Sequence, residues 1–394
     1  LMPTAKEWNS LADTGNLNGV GSDLNSERAR LISIAESLER YAACIWDEDS
    51  MVLAPEQQLG EAYIPSSAFP QCSKSEMATG DCVLEEPDPS LPMRWVRGWS
   101  LTYGRPVLVP AICVYMNMQP ISRAEHFTRS VTTGTAVHSS FSSATLNAIL
   151  EVTERDSFAI SWLQRLQLRE IKVEAAELDL SVRPYYEAGG AHGSTIRVFD
   201  ATTDVGIPVL IALEINNLRP DLAQVVCVTC DLDPQRALAK LFRELAALRI
   251  ALNDYTYRHA VTRPRANAVS VVGGAAYAAN LARRHQFSHW LENNREGVSL
   301  DHLNSVVSSR DPVDLAVERW AGVGGEIILV DITPREARLI GMKAVKVLIP
   351  QAVPLSFIHG ERYLATPRLY EAPLAMGHPP RAESDLNDDP QPLA

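Results

Sequence analysis

One acidic helical pattern occurs twice in this 394-residue chain, and it constrains the fold more than any other feature. The first copy is AESLERYAACIW (35–46) and the second is LEVTERDSFAISW (150–162); each contains Glu-x-x-Glu-Arg and an apolar run that ends in Trp. Each copy also follows glycines about one helix length upstream, Gly19 and Gly21 before the first and Gly134 before the second. The repeat predicts an internal duplication of a helix-plus-sheet unit.

Helical geometry places the acidic residues of each copy on one narrow stripe beside the apolar face. At about 100° per residue, residues three apart lie roughly 60° apart, so Glu36 neighbours Glu39 and Glu151 neighbours Glu154. Asn147 falls on the second stripe. Carboxylates in such pairs repel each other unless a cation lies between them, and Mg²⁺ prefers carboxylate, water and phosphate oxygens.

The acidic stripes have two competing interpretations. A single Glu-x-x-Glu-Arg is common on solvated helix faces. The duplication and the upstream glycines, whose backbone N–H groups can face phosphates, favour a metal–phosphate site instead.

Composition excludes several classes of protein. The chain has 36 Lys and Arg against 48 Asp and Glu, a net charge of −12, which argues against a nucleic-acid partner. No apolar run approaches the length of a membrane helix, and the N-terminus lacks the features of a signal peptide. Six scattered cysteines, including the lone pair Cys227 and Cys230, predict reduced thiols and a cytoplasmic protein.

Strands and helices mix along the chain, often with strands in succession, and this predicts an α+β fold. Residues 1–25 are expected to form an N-terminal loop or extension, 26–372 the catalytic domain, and 373–394 an irregular Pro-containing tail. The loop-rich stretch 65–92 is the expected internal boundary. Helices are predicted over 26–46, 141–168, 234–252 and 311–322, with Ser26 and Asp233 as N-caps.

The sequence resembles the YcaO-domain family. GVGSDLNSERARLISIAESLERYAACIW and TGTAVHSSFSSATLNAILEVTERDSFAISWLQRL resemble its two nucleotide-binding segments. Further similar segments follow in the family's order: WVRGWSLTYGRPVLVPA, DLDPQRALAKLFRELAALR, VDITPREARLIGMKAVKVLIPQAVPL and RLYEAPLAMG. The most similar branch is the cyclodehydratases of thiazole/oxazole-modified microcin biosynthesis.

The resemblance implies an ATP- and Mg²⁺-dependent enzyme that acts on a ribosomally made precursor peptide. In that family a Cys, Ser or Thr side chain attacks the preceding backbone carbonyl, the amide oxygen is phosphorylated, and loss of phosphate leaves a thiazoline or oxazoline ring. Such catalysis depends mostly on positioning and charge neutralisation. A thioamide- or amidine-forming enzyme of the same family, and a non-catalytic scaffold with the same fold, are the alternatives.

The resemblance also assigns residues by their positions in the matching segments. It implies that metal and nucleotide are bound by Glu36, Glu39, Glu151 and Glu154, with Asn147 and Ser22 facing the nucleotide. Arg249 matches a phosphate-contacting arginine, and Arg165 is a weaker candidate for the same role. Arg40 and Arg155 are expected to be ion-pair partners. The chain end, Ala394, follows a Pro390-x-Pro392 pattern of the kind that reaches the active site in related enzymes.

The expected partners follow from the same resemblance. No leader-binding domain is recognised in the sequence, so a separate E1-like or RiPP-recognition protein is expected to capture the precursor peptide. An FMN-dependent azoline dehydrogenase is expected as a further member of a multi-subunit complex, and neither nucleic acid nor membrane is expected as a partner.

Overall fold

The computed structural model describes residues 18–191, 193–292, 296–303 and 310–393. The chain divides into two compact units, each assembled from segments distant in sequence. Of the described residues, the first unit comprises 18–73, 83–152 and 310–352, and the second comprises 74–82, 153–191, 193–292, 296–303 and 353–393. The changes from one unit to the other at Ser73 and Cys82 fall inside the loop-rich stretch 65–92.

The first unit is built on an antiparallel sheet. Its strands are β1 (Val52–Ala54), β2 (Met93–Ser100), β3 (Arg105–Pro110), β4 (Thr135–His138), β10 (Ile328–Asp331) and β11 (Lys343–Leu348). The order is β1-β2-β10-β11-β4, and β3 also pairs with β2. In the β2–β3 hairpin Trp95 pairs with Pro110 and Ser100 with Arg105. Helix α1 (Ser26–Ala43) packs on β4 and β11.

The second unit contains a separate sheet. Its strands are β5 (Arg169–Lys172), β6 (Ser194–Asp200), β7 (Val209–Asn216), β8 (Gln224–Cys230) and β9 (Val298–Ser299). They lie in the order β8-β7-β6-β5-β9. All pairs are antiparallel except β5 with β9. Helix α5 (Pro234–Arg258) covers β7 and β8 with an apolar face at helical spacing, which includes Leu238, Leu241, Phe242 and Leu245.

The remaining α-helices are short, except for the one that begins at Phe141. They are α2 (Lys74–Ala78), α3 (Phe141–Leu163), α4 (Arg183–Ala191), α6 (Gly273–Ala279), α7 (Ser288–Leu291), α8 (Pro312–Gly322), α9 (Arg335–Leu339) and α10 (Arg368–Ala375). Helix α3 contributes residues to both units, because the division falls between Val152 and Thr153. Among the described residues, none of the helices combines the length and the apolarity needed to cross a membrane.

Several predicted helix boundaries were wrong. Helix α1 ends at Ala43, three residues before the predicted end, and α5 extends to Arg258, six residues beyond its predicted end. The N-cap of α1 is Asn25, not Ser26, because the Asn25 side chain accepts hydrogen bonds from the N–H groups of Glu27 and Arg28; an amide caps a helix as well as a hydroxyl does. Helix α3 ends at Leu163, five residues before the predicted end, and Arg165 then adopts a left-handed φ of 48°. The cap of α5 is Asp233, as predicted.

The acidic tail is an ordered part of the second unit. Leu386, Asn387 and Leu393 are buried. The Asn387 N–H donates to the carbonyl of Leu163 at 2.8 Å, and the Trp162 indole N–H donates to the carbonyl of Asp389 at 3.2 Å. Ala394 lies outside the described residues.

The mixed architecture confirms the predicted α+β fold class. The two sheets have different strand orders, so the internal duplication stays a prediction. The six cysteines are free thiols. Burial raises the pKa of both Cys227 and Cys230 well above the usual value for a thiol, which fits a structural role.

Candidate active site

Two of the predicted glutamates, from different helices of the first unit, interact electrostatically. They are Glu39 on α1 and Glu151 on α3. Although part of the Glu39 side chain remains accessible, burial raises its pKa well above the ordinary value, and the negative charges of Glu151 and Glu36 raise it further. Carboxylates with such surroundings hold excess negative charge that a cation would relieve. The first unit therefore has the donor chemistry of a site for a hard cation.

Lys346 on β11 is the internal cation beside this pair. Its side chain is 1% exposed, and its ammonium donates to the carbonyls of Val131 at 2.6 Å and Thr133 at 2.7 Å. Burial lowers the pKa of Lys346 to about 8, against the opposite influence of Glu151, Cys113 and Glu39. The sequence analysis did not predict Lys346 as a site residue. The feature that could have indicated it is a charged residue between apolar neighbours in the strand KAVKVL.

Backbone N–H groups of the upstream glycine segments donate hydrogen bonds to the glutamates. The Val20 N–H, between Gly19 and Gly21, donates to Glu36 Oε2 at 2.6 Å, and the Gly134 N–H donates to Glu151 Oε2 at 3.0 Å. The same arrangement occurs in both copies of the repeat. These two N–H groups are thus already used, and their predicted contact with phosphate would require the carboxylates to release them.

Close approach of backbones explains why glycine stands at these positions. A Cβ on Gly19 would lie 2.0 Å from the carbonyl oxygen of Ser33, and one on Gly21 would lie 1.8 Å from that of Ala29. Gly134 has a φ of 82°, and a Cβ there would lie 2.3 Å from the carbonyl oxygen of Val347. No other residue fits without movement of the backbone.

The fourth glutamate, Glu154, lies in the second unit among different partners. It is 3% exposed, and its Oε2 accepts from the Cys230 N–H at 3.0 Å and from the Lys240 ammonium at 3.1 Å. Burial alone would lower the pKa of Lys240, but the carboxylates of Glu154 and Glu244 more than offset this and raise it. Lys240 and Glu244 lie one turn apart on α5, in a segment that sequence reasoning used only for Arg249.

Glu244 is electrostatically part of the same cluster. Burial raises the pKa of Glu244, Lys240 lowers it, and the charge of Glu154 raises it again. Arg155 lies 3.6 Å from Glu154 and Arg40 lies 2.6 Å from Glu36, so the expected ion-pair roles of these two arginines are confirmed.

The predicted phosphate-binding arginines have protein partners in the second unit. Arg249 forms a two-pronged pair with Glu214 on β7, with Nε 2.7 Å from Oε1 and a terminal guanidinium nitrogen 2.6 Å from Oε2. Arg165 contacts Asn387 of the tail at 3.3 Å. A phosphate-binding role for either arginine stays a prediction, and for Arg249 it would require Glu214 to share its guanidinium.

Two further predicted nucleotide contacts are accessible in the first unit. Asn147 is exposed on α3 one turn before Glu151, and Ser22 is partly buried just before α1. In the part of the chain that the structure describes, no three His, Cys, Asp or Glu side chains converge closely enough to hold a metal ion. The partners explain this, because Glu36, Glu151 and Glu154 each bind protein donors.

Comparison with known proteins identifies the family. The model of the YcaO cyclodehydratase family, described as ATP- and Mg²⁺-binding, matches residues 20–353. The chain belongs to the YcaO cyclodehydratase family. The predicted cofactors, ATP and Mg²⁺, are confirmed at the level of this family. Two curated relatives are uncharacterized. One, from Methanothermobacter thermautotrophicus, is 24% identical over 336 residues, 84% of this chain and 80% of the relative.

Solved YcaO structures share the fold. A heterocyclase solved with substrate and cofactor superimposes with a TM-score of 0.79 at 20% identity, over 95% of this chain and 49% of its own. The Methanopyrus kandleri YcaO protein, bound with AMPPCP and Mg²⁺, gives 0.60 at 22% identity over 84% of this chain and 78% of its own. An E. coli microcin synthetase McbBCD complex gives 0.59 at 16% identity over 84% and 81%.

The first of these heterocyclases is considerably longer than the present chain. The chain spans about half the length of that heterocyclase. At these identities the likeness concerns the fold, and YcaO membership rests on the family match. The residues with which this YcaO protein would hold its cofactors therefore stay predictions.

Proposed function

We propose that this protein is an ATP-dependent cyclodehydratase that forms thiazoline or oxazoline rings at Cys, Ser or Thr of a ribosomal precursor peptide. The observation that carries the proposal is the YcaO family match over residues 20–353. The raised pKa of Glu39 supports it, because the charges of Glu151 and Glu36 raise it despite Arg40 and Lys346, and such a cluster of carboxylates suits a metal-bound nucleotide.

The metal ligands we propose are Glu36, Glu39, Glu151 and Glu154. Bound ATP would supply the phosphoryl group that turns an amide oxygen into a leaving group. The chain's own contribution is to hold the charge of that nucleotide in place. To do so, Glu36 must replace part of its ion pair with Arg40 by bonds to the metal, and Glu154 must do the same with its ion pair to Lys240. Lys240 then becomes available to a phosphate oxygen, and Glu244 is available as a further carboxylate.

The nucleotide is further held, in this proposal, by Ser22, Asn147 and Arg249, with Arg165 as a second cation. The Pro390-x-Pro392 tail, which is packed in the second unit, would place Ala394 at the active site. The packing of Leu386 and Leu393 supports a fixed course for this segment.

The partners we propose are a precursor peptide, an E1-like or RiPP-recognition protein that binds its leader, and an FMN-dependent azoline dehydrogenase. Support comes from the solved E. coli McbBCD synthetase, a multi-protein complex that has been captured with pro-MccB17. The whole would form a multi-subunit complex.

The decisive experiment is to incubate the protein with ATP, Mg²⁺, the leader-binding protein and the precursor peptide, and to weigh the product. A YcaO cyclodehydratase removes the mass of one water per ring. Glu151→Gln and Glu154→Gln should each reduce the rate by at least about 100-fold, the scale for losing a charged group that acts in the transition state.

A matched control is Glu318→Gln. Glu318 also pairs with an arginine, Arg310 at 2.6 Å, but its side chain is 64% exposed, so the rate should not change. If Glu151→Gln retained the full rate, the metal assignment would be wrong. A product in which sulfur replaces a backbone oxygen would indicate thioamide formation, and no ATP-dependent change with every partner present would indicate a scaffold.

A further inference from the structure

Lys346 requires an explanation that the proposed chemistry does not provide. Its side chain is 1% exposed, and removal of an ammonium from water is costly unless opposite charge and hydrogen bonds compensate it. The carbonyls of Val131 and Thr133 satisfy two of its three N–H donors. Carbonyls are dipoles without net charge, so they leave the charge itself uncompensated.

Two carboxylates supply the opposite charge. Glu151 and Glu39 both act on Lys346 electrostatically, and Lys346 acts in turn on Glu39. Glu39 otherwise experiences the repulsion of two neighbours, Glu151 and Glu36, with Arg40 as its other cation. Without Lys346, the first unit would bring these carboxylates together with much less positive charge to stabilise them.

Lys346 also fixes the loop that contacts Glu151. Its two carbonyl contacts lie in the segment Val131–Gly134, and the neighbouring Val347 N–H donates to the Gly134 carbonyl at 2.7 Å. On its other side, Gly134 donates its N–H to Glu151. The same strand therefore anchors the loop and places the cation.

We propose that Lys346 is a positioning residue: a built-in counter-cation that keeps Glu39 and Glu151 together when no metal is bound, and that orients Glu151 through the Val131–Gly134 loop. The proposal deepens the proposed function, on which it rests for the identification of the two glutamates as metal ligands. A lysine in this position stabilises the folded site before the divalent cation arrives.

A double-mutant cycle tests the charge pairing. Thermal unfolding is measured in chelator for the wild type, Lys346→Met, Glu39→Gln and the double variant. We expect Lys346→Met to lower the unfolding temperature strongly in the wild-type background and less than half as much in the Glu39→Gln background. Lys346→Arg, which retains the charge, should lower it less than Lys346→Met. Lys343→Met, on the same strand but only partly buried, is the matched control and should have little effect.

Equal losses in both backgrounds would overturn the proposal, because Lys346 would then only satisfy two carbonyls. If Lys346→Met does not fold, a folded double variant supports the pairing and an unfolded one contradicts it. The same samples are then heated with Mg²⁺ and AMPPCP. Coupling without stabilisation by Mg²⁺–AMPPCP would retain the role of Lys346 and reject the metal site, whereas stabilisation without coupling would do the reverse.

Discussion

The surroundings of Glu151 and of Glu154 differ, although the two residues lie one turn apart on helix α3. Each is opposed by a lysine from its own unit. Lys346, near Glu151, is 1% exposed and directs its hydrogen bonds to backbone carbonyls. Lys240, by Glu154, has a side chain that is 35% exposed and donates directly to the carboxylate.

The difference separates a permanent cation from an exchangeable one. Lys346 cannot leave without breaking two hydrogen bonds and exposing a buried strand position. Lys240 can turn toward solvent or a phosphate while Glu154 keeps its hydrogen bond from the Cys230 N–H. We infer that the Glu151 side is preorganised, while the Glu154 side changes its partners when a metal-bound nucleotide arrives.

The largest predicted effect on stability concerns the loop on the Glu151 side. Gly134→Ala places a Cβ at a φ of 82° and 2.3 Å from the Val347 carbonyl oxygen. We expect a loss of about 2–4 kcal/mol in the free energy of unfolding, the sum of left-handed strain and overpacking. Chemical denaturation measures this loss, and the N–H donated to Glu151 should be displaced with the loop.

Gly104→Ala is the control for that experiment. Gly104 also has a positive φ, 62°, but a Cβ there would meet nothing within 4 Å. It should therefore show only the strain of about 1–2 kcal/mol. Equal losses for the two variants would mean that the loop on the Glu151 side is not held tightly, and the contrast with the Glu154 side would disappear.

Sequence patterns were sufficient for features that depend on local spacing. The start of α5 at the Asp233 cap depends on residues that are near one another in the chain. The acidic stripes followed from helical geometry in the same way. Such features require no knowledge of tertiary contacts.

The missed features depend on contacts between residues distant in sequence. Lys346 reaches carbonyls more than 200 residues away, and periodicity carries no information about such a contact. The tail has an acidic, proline-containing sequence. Its packing within the second unit depends on the burial of Leu386 and Leu393. Lys240 was overlooked because a lysine on a long helix is usually solvated.

The second predicted effect tests whether the Lys240 side is exchangeable. Lys240→Met removes the nearer cation shared by Glu154 and Glu244 and leaves Arg155 as the other. We expect the free energy of unfolding in chelator to fall by about 1–2 kcal/mol. Mg²⁺ should recover most of this loss, because it can replace an accessible cation. Denaturation with and without Mg²⁺ measures the recovery. Lys240→Arg should lose little, and a Lys240→Met loss that Mg²⁺ leaves unchanged would make Lys240 as permanent as Lys346.

The smallest predicted effect concerns Arg40, the ion-pair partner of Glu36 on α1. It pairs with Glu36 at i,i+4 on a helix surface, and about a third of each side chain is exposed. Arg40→Gln should cost only about 0.3–0.5 kcal/mol, because water replaces much of the interaction. Since 0.5 kcal/mol corresponds to about a twofold change in a binding constant, Mg²⁺–AMPPCP affinity measured by calorimetry should change no more than that. A tenfold loss of affinity would instead place Arg40 on the nucleotide.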